Sequence, residues 1–142
     1  MGSDRVSGLG GLEVQDYRKL KVWERAHRLT VEIYRATGTF PKTEIYGLTS
    51  QMRSSSSSIP TNIAEGTGRN SQAEFCRFLH ISMGSAHEVE YQMLLARDLG
   101  FFTEEIYTSL HDEVMEIQRM LSTLIQKVNQ GTQSLPAINY KL

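Results

Sequence analysis

The chain has 142 residues, which suits one domain able to bury roughly two-thirds of its unfolded surface. Its 15 Lys and Arg are balanced by 16 Asp and Glu, and the resulting net charge of -1 argues against a strongly basic nucleic-acid protein. The lone Cys76 excludes an intrachain disulfide framework, no run approaches the roughly 18 apolar residues of a membrane span, and the start lacks the charged-then-apolar pattern of a signal peptide. A soluble cytoplasmic domain without a membrane partner is therefore expected.

Residues 1–15 are rich in glycine and carry no hydrophobic period, so a flexible N-terminal arm is expected there. From Asp16 a helix is expected. Val22, Ala26, Leu29, Ile33 and Ala36 recur at steps of three and four, and Gly38 and Pro41 then stop the ladder. A second helix is expected from Thr43, whose hydroxyl would cap free amides, to Gly66-Thr-Gly68. Its stripe is Ile45, Leu48, Met52, Ser55, Ile59 and Ile63, and it crosses the five serines Ser54 to Ser58 without losing phase. The period makes those serines a helical segment, against a competing reading as a solvated tether. Pro60 lacks a backbone donor and crowds the carbonyl of Ser56, so a kink or short break is expected there.

Ser71-Gln-Ala-Glu74 reads as a capping box opening a third helix, with Phe75, Phe78, Ser82, Ala86, Val89, Met93 and Ala96 on one face and Gly100 closing it. Thr103 is the next cap, followed by Glu104 and Glu105 against the positive end of the helix dipole. The fourth helix carries the cleanest repeat, Leu110, Val114, Ile117, Leu121, Leu124 and Val128, and Gly131 is expected to end it before a tail over residues 131–142. Four helices of roughly 20 to 28 residues with short connections make residues 16–130 an all-α, antiparallel up-down four-helix bundle.

Catalytic and metal chemistry find little support. A bundle metal centre needs two Glu-x-x-His pairs, and the chain has only Glu24 with His27; His80, His87 and His111 lack the preceding glutamate. Cys76, near a helix start, has either a lowered thiol pKa or the commoner structural role. Gly66-Thr-Gly68-Arg69-Asn70 suits a helix-to-helix turn better than a phosphate cradle. No catalytic residue, metal or cofactor is expected.

Charge is more informative. Over the first helix Arg18, Lys19, Lys21, Arg25, Arg28 and Arg35 outnumber Asp16, Glu24 and Glu32, whereas the fourth helix is acidic through Glu104, Glu105, Asp112, Glu113 and Glu116. Arg18, Lys21, Arg25, Arg28 and Arg35 share one stripe. Two readings stay open: a ridge that contacts phosphates, and a face complementary to the acidic fourth helix of this or another subunit.

Several blocks carry a resemblance: Leu20-Lys-Val-Trp-Glu-Arg-Ala-His, Phe40-Pro-Lys-Thr-Glu-Ile-Tyr-Gly-Leu-Thr-Ser-Gln, Ser58-Ile-Pro-Thr-Asn-Ile-Ala-Glu-Gly, Phe75-Cys-Arg-Phe-Leu-His-Ile and Leu94-Leu-Ala-Arg-Asp-Leu-Gly. In this order they resemble the four-helix bundle family of 23S ribosomal RNA intervening-sequence proteins, over roughly Asp16 to Val128. The resemblance implies a small bacterial protein forming a ring-like homopentamer. It also implies kinship with the accessory protein of diversity-generating retroelements, a basic pentamer that works with a reverse transcriptase and nucleic acid. It supplies no catalytic residue.

Three places depart from the family pattern. Ile45 precedes Tyr-Gly-Leu where members commonly have a basic residue, Arg53-Ser54-Ser55 stands for Arg-Arg-Ala, and Ser82-Met83-Gly84-Ser85 stands for Ala-Arg-Gly-Ser. These changes remove cations that would meet phosphate, and they suit Ile45 and Met83 to a more apolar interface between subunits. The resemblance and the charge pattern together give a homo-oligomeric scaffold presenting Arg18, Lys21, Arg25, Arg28, Arg35, Arg53, Arg69 and Arg77 to RNA or DNA, with a reverse transcriptase as a further partner. The alternative is an oligomer that binds no nucleic acid.

Overall fold

Leucine, isoleucine and methionine at helical spacing have one inexpensive way to leave water, which is to face a common axis. The computed structural model, which describes residues 16–132, arranges them so. It contains α1 (Lys21–Ala36), α2 (Leu48–Thr67), α3 (Gln72–Asp98) and α4 (Glu104–Thr132), and no strand among the described residues. α1 packs against α2 and α4, and α3 packs against the same two, so one core fills the centre of a four-helix bundle. The N-terminal arm, 1–15, lies outside the described residues, as does most of the expected tail.

α1 buries Val22, Ala26, Leu29 and Ile33 as the period requires. It begins at Lys21 rather than Asp16. The Asp16 carboxylate accepts the Arg18 amide at 3.0 Å, which fixes a 3-10 turn over Tyr17–Lys19, and Leu20 then adopts an extended conformation before the helix starts. At the other end a 3-10 turn over Thr37–Thr39 leads to Phe40, whose buried ring meets Phe101 and Phe102 at 5.2 and 5.1 Å.

α2 contains the whole serine tract, with Ser56 fully buried and Ser55 nearly so, which excludes a solvated tether. Its start differs from expectation. Lys42–Glu44 forms a separate 3-10 turn, and α2 opens at Leu48, whose amide donates to Glu44 Oε1 at 3.0 Å; the cap is Glu44, not Thr43. Ile45 consequently precedes the helix and is exposed, while Leu48, Met52, Ser55, Ile59 and Ile63 are buried.

The break expected at Pro60 is absent, because α2 runs through it. Proline deprives the Ser56 carbonyl of its helical donor, and Thr30 of α1 replaces it, with Thr30 Oγ1 lying 3.0 Å from Ser56 O and 2.9 Å from Ala26 O.

The serines also let α3 approach. Ser82 Oγ donates to the Ile59 carbonyl at 2.9 Å, and Ser85 Oγ lies 2.8 Å from Ser58 Oγ. At Gly66 a Cβ would fall 2.8 Å from Phe75 Cδ1 and 3.0 Å from Phe78 Cβ, so only glycine fits between α2 and the start of α3.

Ser71 caps α3 by accepting the Glu74 amide at 3.1 Å. Only this half of the capping box forms, since the Glu74 carboxylate pairs with Arg77 instead. The seven residues expected on the inner face of α3 are all buried. Gly100 takes φ 80, where a side chain would be strained, and Thr103 Oγ1 then caps α4 by accepting the Ile106 amide at 3.1 Å. α4 buries its full heptad seam and continues through Gly131 to Thr132, two residues beyond the expected end at 130.

Candidate nucleic-acid interface

The five basic residues assigned to the first-helix stripe separate into three groups. Arg18 lies in the turn before α1 and holds Asp16 through Nε and Nη2 at 3.0 and 3.1 Å, so it is not part of the helical ridge. Arg25 crosses to α4 and binds Glu113 with both arms, Nε to Oε2 at 2.7 Å and Nη2 to Oε1 at 3.1 Å. This pairing holds the Glu113 carboxyl below its ordinary range, chiefly through the hydrogen bond from Arg25, with the charge of Arg28 contributing less.

Lys21, Arg28 and Arg35 form the third group. They are exposed, carry no ion pair among the described residues, and follow one another at intervals of seven on α1. Seven residues are two turns, so the three cations line one side of the helix at about 10.5 Å spacing.

The remaining candidates do not extend this ridge. Arg53, half-buried on α2, donates from Nε to Thr37 Oγ1 at 2.9 Å and from Nη2 to the Tyr34 carbonyl at 3.0 Å, and its guanidinium covers the Tyr34 ring at 4.8 Å. It finishes the C-terminal end of α1 and is committed to the fold. Arg69 and Arg77 converge on Phe78 at the α2–α3 turn, with guanidinium carbons 4.6 and 4.7 Å from the ring centroid. Some 15 residues of α2, about 22 Å, separate this pair from Arg53. The eight residues are thus one short ridge, one cap, one intramolecular pair, one turn lock and one cluster.

Nucleophile and metal chemistry gain nothing from the geometry. Burial pushes the Cys76 thiol up, and Sγ lies 3.9 Å from Asn129 Oδ1. His27 stacks on Trp23 at 5.1 Å. His87 and His111 approach Glu90 at 3.5 and 3.8 Å, and no group of three side chains that could hold a metal ion occurs among the described residues. No helix among them is long and apolar enough to cross a membrane.

Periodicity had no means of showing two surface features. Tyr46, at the corner before α2, is 93% exposed, and Ile45 beside it is 48% exposed. Between α1 and α4 lies a hollow of about 470 Å³ whose lining includes Ala36, Ile106 and Leu110, with Glu32, Arg35 and Glu105 at its edge. The only sequence sign of the first was an isoleucine before Tyr46 where a cation is usual.

Residues 18–123 match the family described as 23S rRNA-intervening sequence protein. A 1.70 Å crystal structure of a protein with unknown function from the S23 ribosomal protein family of Bacteroides thetaiotaomicron VPI-5482 is similar. Its TM-score is 0.69 at 26% identity, and the match covers 75% of this chain and 96% of the other. No curated protein matches.

Proposed function

Because the chain belongs to the 23S rRNA-intervening sequence protein family, we propose that it is a non-enzymatic scaffold that assembles as a homopentameric ring and binds nucleic-acid phosphates along α1. The observation that carries this reading is the ladder of Lys21, Arg28 and Arg35, exposed and without an ion pair among the described residues. Unpaired cations on a protein whose net charge is -1 are local attractors rather than a general basic coat.

The bundle is antiparallel and up-down in this reading. Its support lies in cross-helix bonds whose residue numbers run in opposite senses. Thr30 meets Ser56 and Thr37 meets Arg53; Ser58 meets Ser85 and Ile59 meets Ser82; Cys76 meets Asn129 and Glu90 meets Gln118.

The commitment of Arg25 to Glu113 favours a second reading, in which first-helix charge serves the α1–α4 seam and the oligomer binds no nucleic acid. Fluorescence anisotropy with labelled RNA and DNA of mixed sequence separates the two. Scaffold function predicts binding that weakens by at least tenfold when Lys21, Arg28 and Arg35 are all changed to Ala. Undetectable binding by the unaltered chain at low salt decides for the second reading.

A further inference from the structure

Tyr46 is displayed on rigid backbone. Glu44 N donates to Pro41 O, Ile45 N to Lys42 O and Gly47 N to Glu44 O, all within 3.2 Å, and the Glu44 carboxylate caps Leu48. Glycine at 47 is what lets that carboxylate sit there, since a Cβ would fall 2.9 Å from Glu44 Oε1. The corner is therefore fixed while the phenol it carries stays in water. An aromatic side chain of this kind offers on the order of 150–250 Å² for burial, and its fixed backbone lowers the entropy lost on docking.

Three hollows on the surface are candidates to receive it, and rim charge distinguishes them. Lys42, exposed and without an ion pair among the described residues, must accompany Tyr46. The α3–α4 hollow, about 460 Å³, is edged by His80, His87 and Arg119, and the hollow beside the start of α1, about 320 Å³, by Lys21 and Lys127. Neither lining contains a carboxylate to receive a lysine. The α1–α4 hollow instead offers two carboxylates, Glu32 and Glu105, against one cation, Arg35, above an apolar floor, and neither carboxylate has an ion pair among the described residues.

We propose that Tyr46, with Ile45 and Lys42 beside it, enters the α1–α4 hollow of a second copy of this chain and sets Lys42 against Glu32 and Glu105. The knob stands just before α2 and the hollow lies between α1 and α4, so donor and acceptor surfaces differ. Such a head-to-tail contact closes into a ring when the rotation between copies permits. Lys21 and Arg28 do not line the hollow and stay available to phosphate, whereas Arg35 lines it and is shared between this contact and the ridge. This inference rests on the oligomer reading above and assigns its contact.

The test uses the full chain, with sedimentation velocity at matched concentrations. Tyr46→Ser removes the knob and Ile106→Arg fills the hollow; both positions are exposed, and circular dichroism checks that each variant keeps its helices. The expected results are an oligomeric unaltered chain, a monomer for each variant alone, and a 1:1 heterodimer when the variants are mixed, because one intact knob and one intact hollow remain. If Tyr46→Ser keeps the full oligomer mass, or the mixture stays monomeric, the assigned contact is overturned while the oligomer reading stands. An unaltered chain that is itself monomeric leaves the hollow to a different protein and overturns both.

Discussion

Arg25 and Arg28 differ by less than one turn of α1, yet their surroundings give them different work. Arg25 is held by both oxygens of Glu113, with both side chains about a third exposed or less, while Arg28 points to solvent. A charge-assisted, bidentate pair at this depth contributes about 1 kcal/mol, near the upper end for surface pairs. Because the Glu113 carboxyl titrates below its unfolded value, its contribution is complete above the ordinary carboxylate value of 4.5 and is lost as the pH falls through the lower folded value. Urea unfolding from neutral pH down to about pH 3 should therefore show a shallower acid loss of stability for Glu113→Gln than for the unaltered chain. An unchanged acid limb would contradict this assignment. The opposite charges of the first and fourth helices are plain in the sequence. The choice of arginine is not, because it depends on the rotation of α1 about its axis and on the depth of each side chain.

At the scale of elements, hydrophobic period carried the interiors of the helices and failed at their ends. The inner stripes of α1, α3 and α4 stand where their spacing places them, and the phase kept by Leu48, Met52, Ser55, Ile59 and Ile63 identified the serines as helix. Starts were misplaced at Asp16 and Thr43 because short turns with side-chain partners, Asp16 to Arg18 and Glu44 to Leu48, compete with helix and leave no periodic trace. The short break expected at Pro60 is absent for a related reason. Local rules describe the donor it removes, whereas the replacement comes from Thr30 on another helix. Thr30→Val should then destabilise the chain by about 1–3 kcal/mol, the cost of an unpartnered buried carbonyl. In a Pro60→Ala background the same change should cost clearly less, since a backbone amide at position 60 can serve Ser56. Equal costs in the two backgrounds, measured by denaturant unfolding, would show that Thr30 does not compensate the proline.

For the whole molecule, fold and candidate interface were legible to different degrees. A four-helix bundle follows from four amphipathic stripes, which burial in a common core fixes almost without regard to detail. An interface depends on which charges remain unpaired after folding. Eight arginines and lysines equivalent in sequence became three exposed ridge cations, one half-exposed cluster around Phe78, and three residues bound within the chain. The Tyr46 corner and the α1–α4 hollow were illegible as a pair, because complementarity between copies has no local period. The most direct measurement of the central claim is the dependence of nucleic-acid affinity on salt. For the unaltered chain the logarithm of the association constant should fall linearly with the logarithm of salt concentration. Replacing Lys21, Arg28 and Arg35 by Ala should reduce that slope by about 2 to 3, the loss of three phosphate contacts per subunit engaged. A slope that the triple replacement leaves unchanged would contradict the assignment of α1 as the nucleic-acid surface.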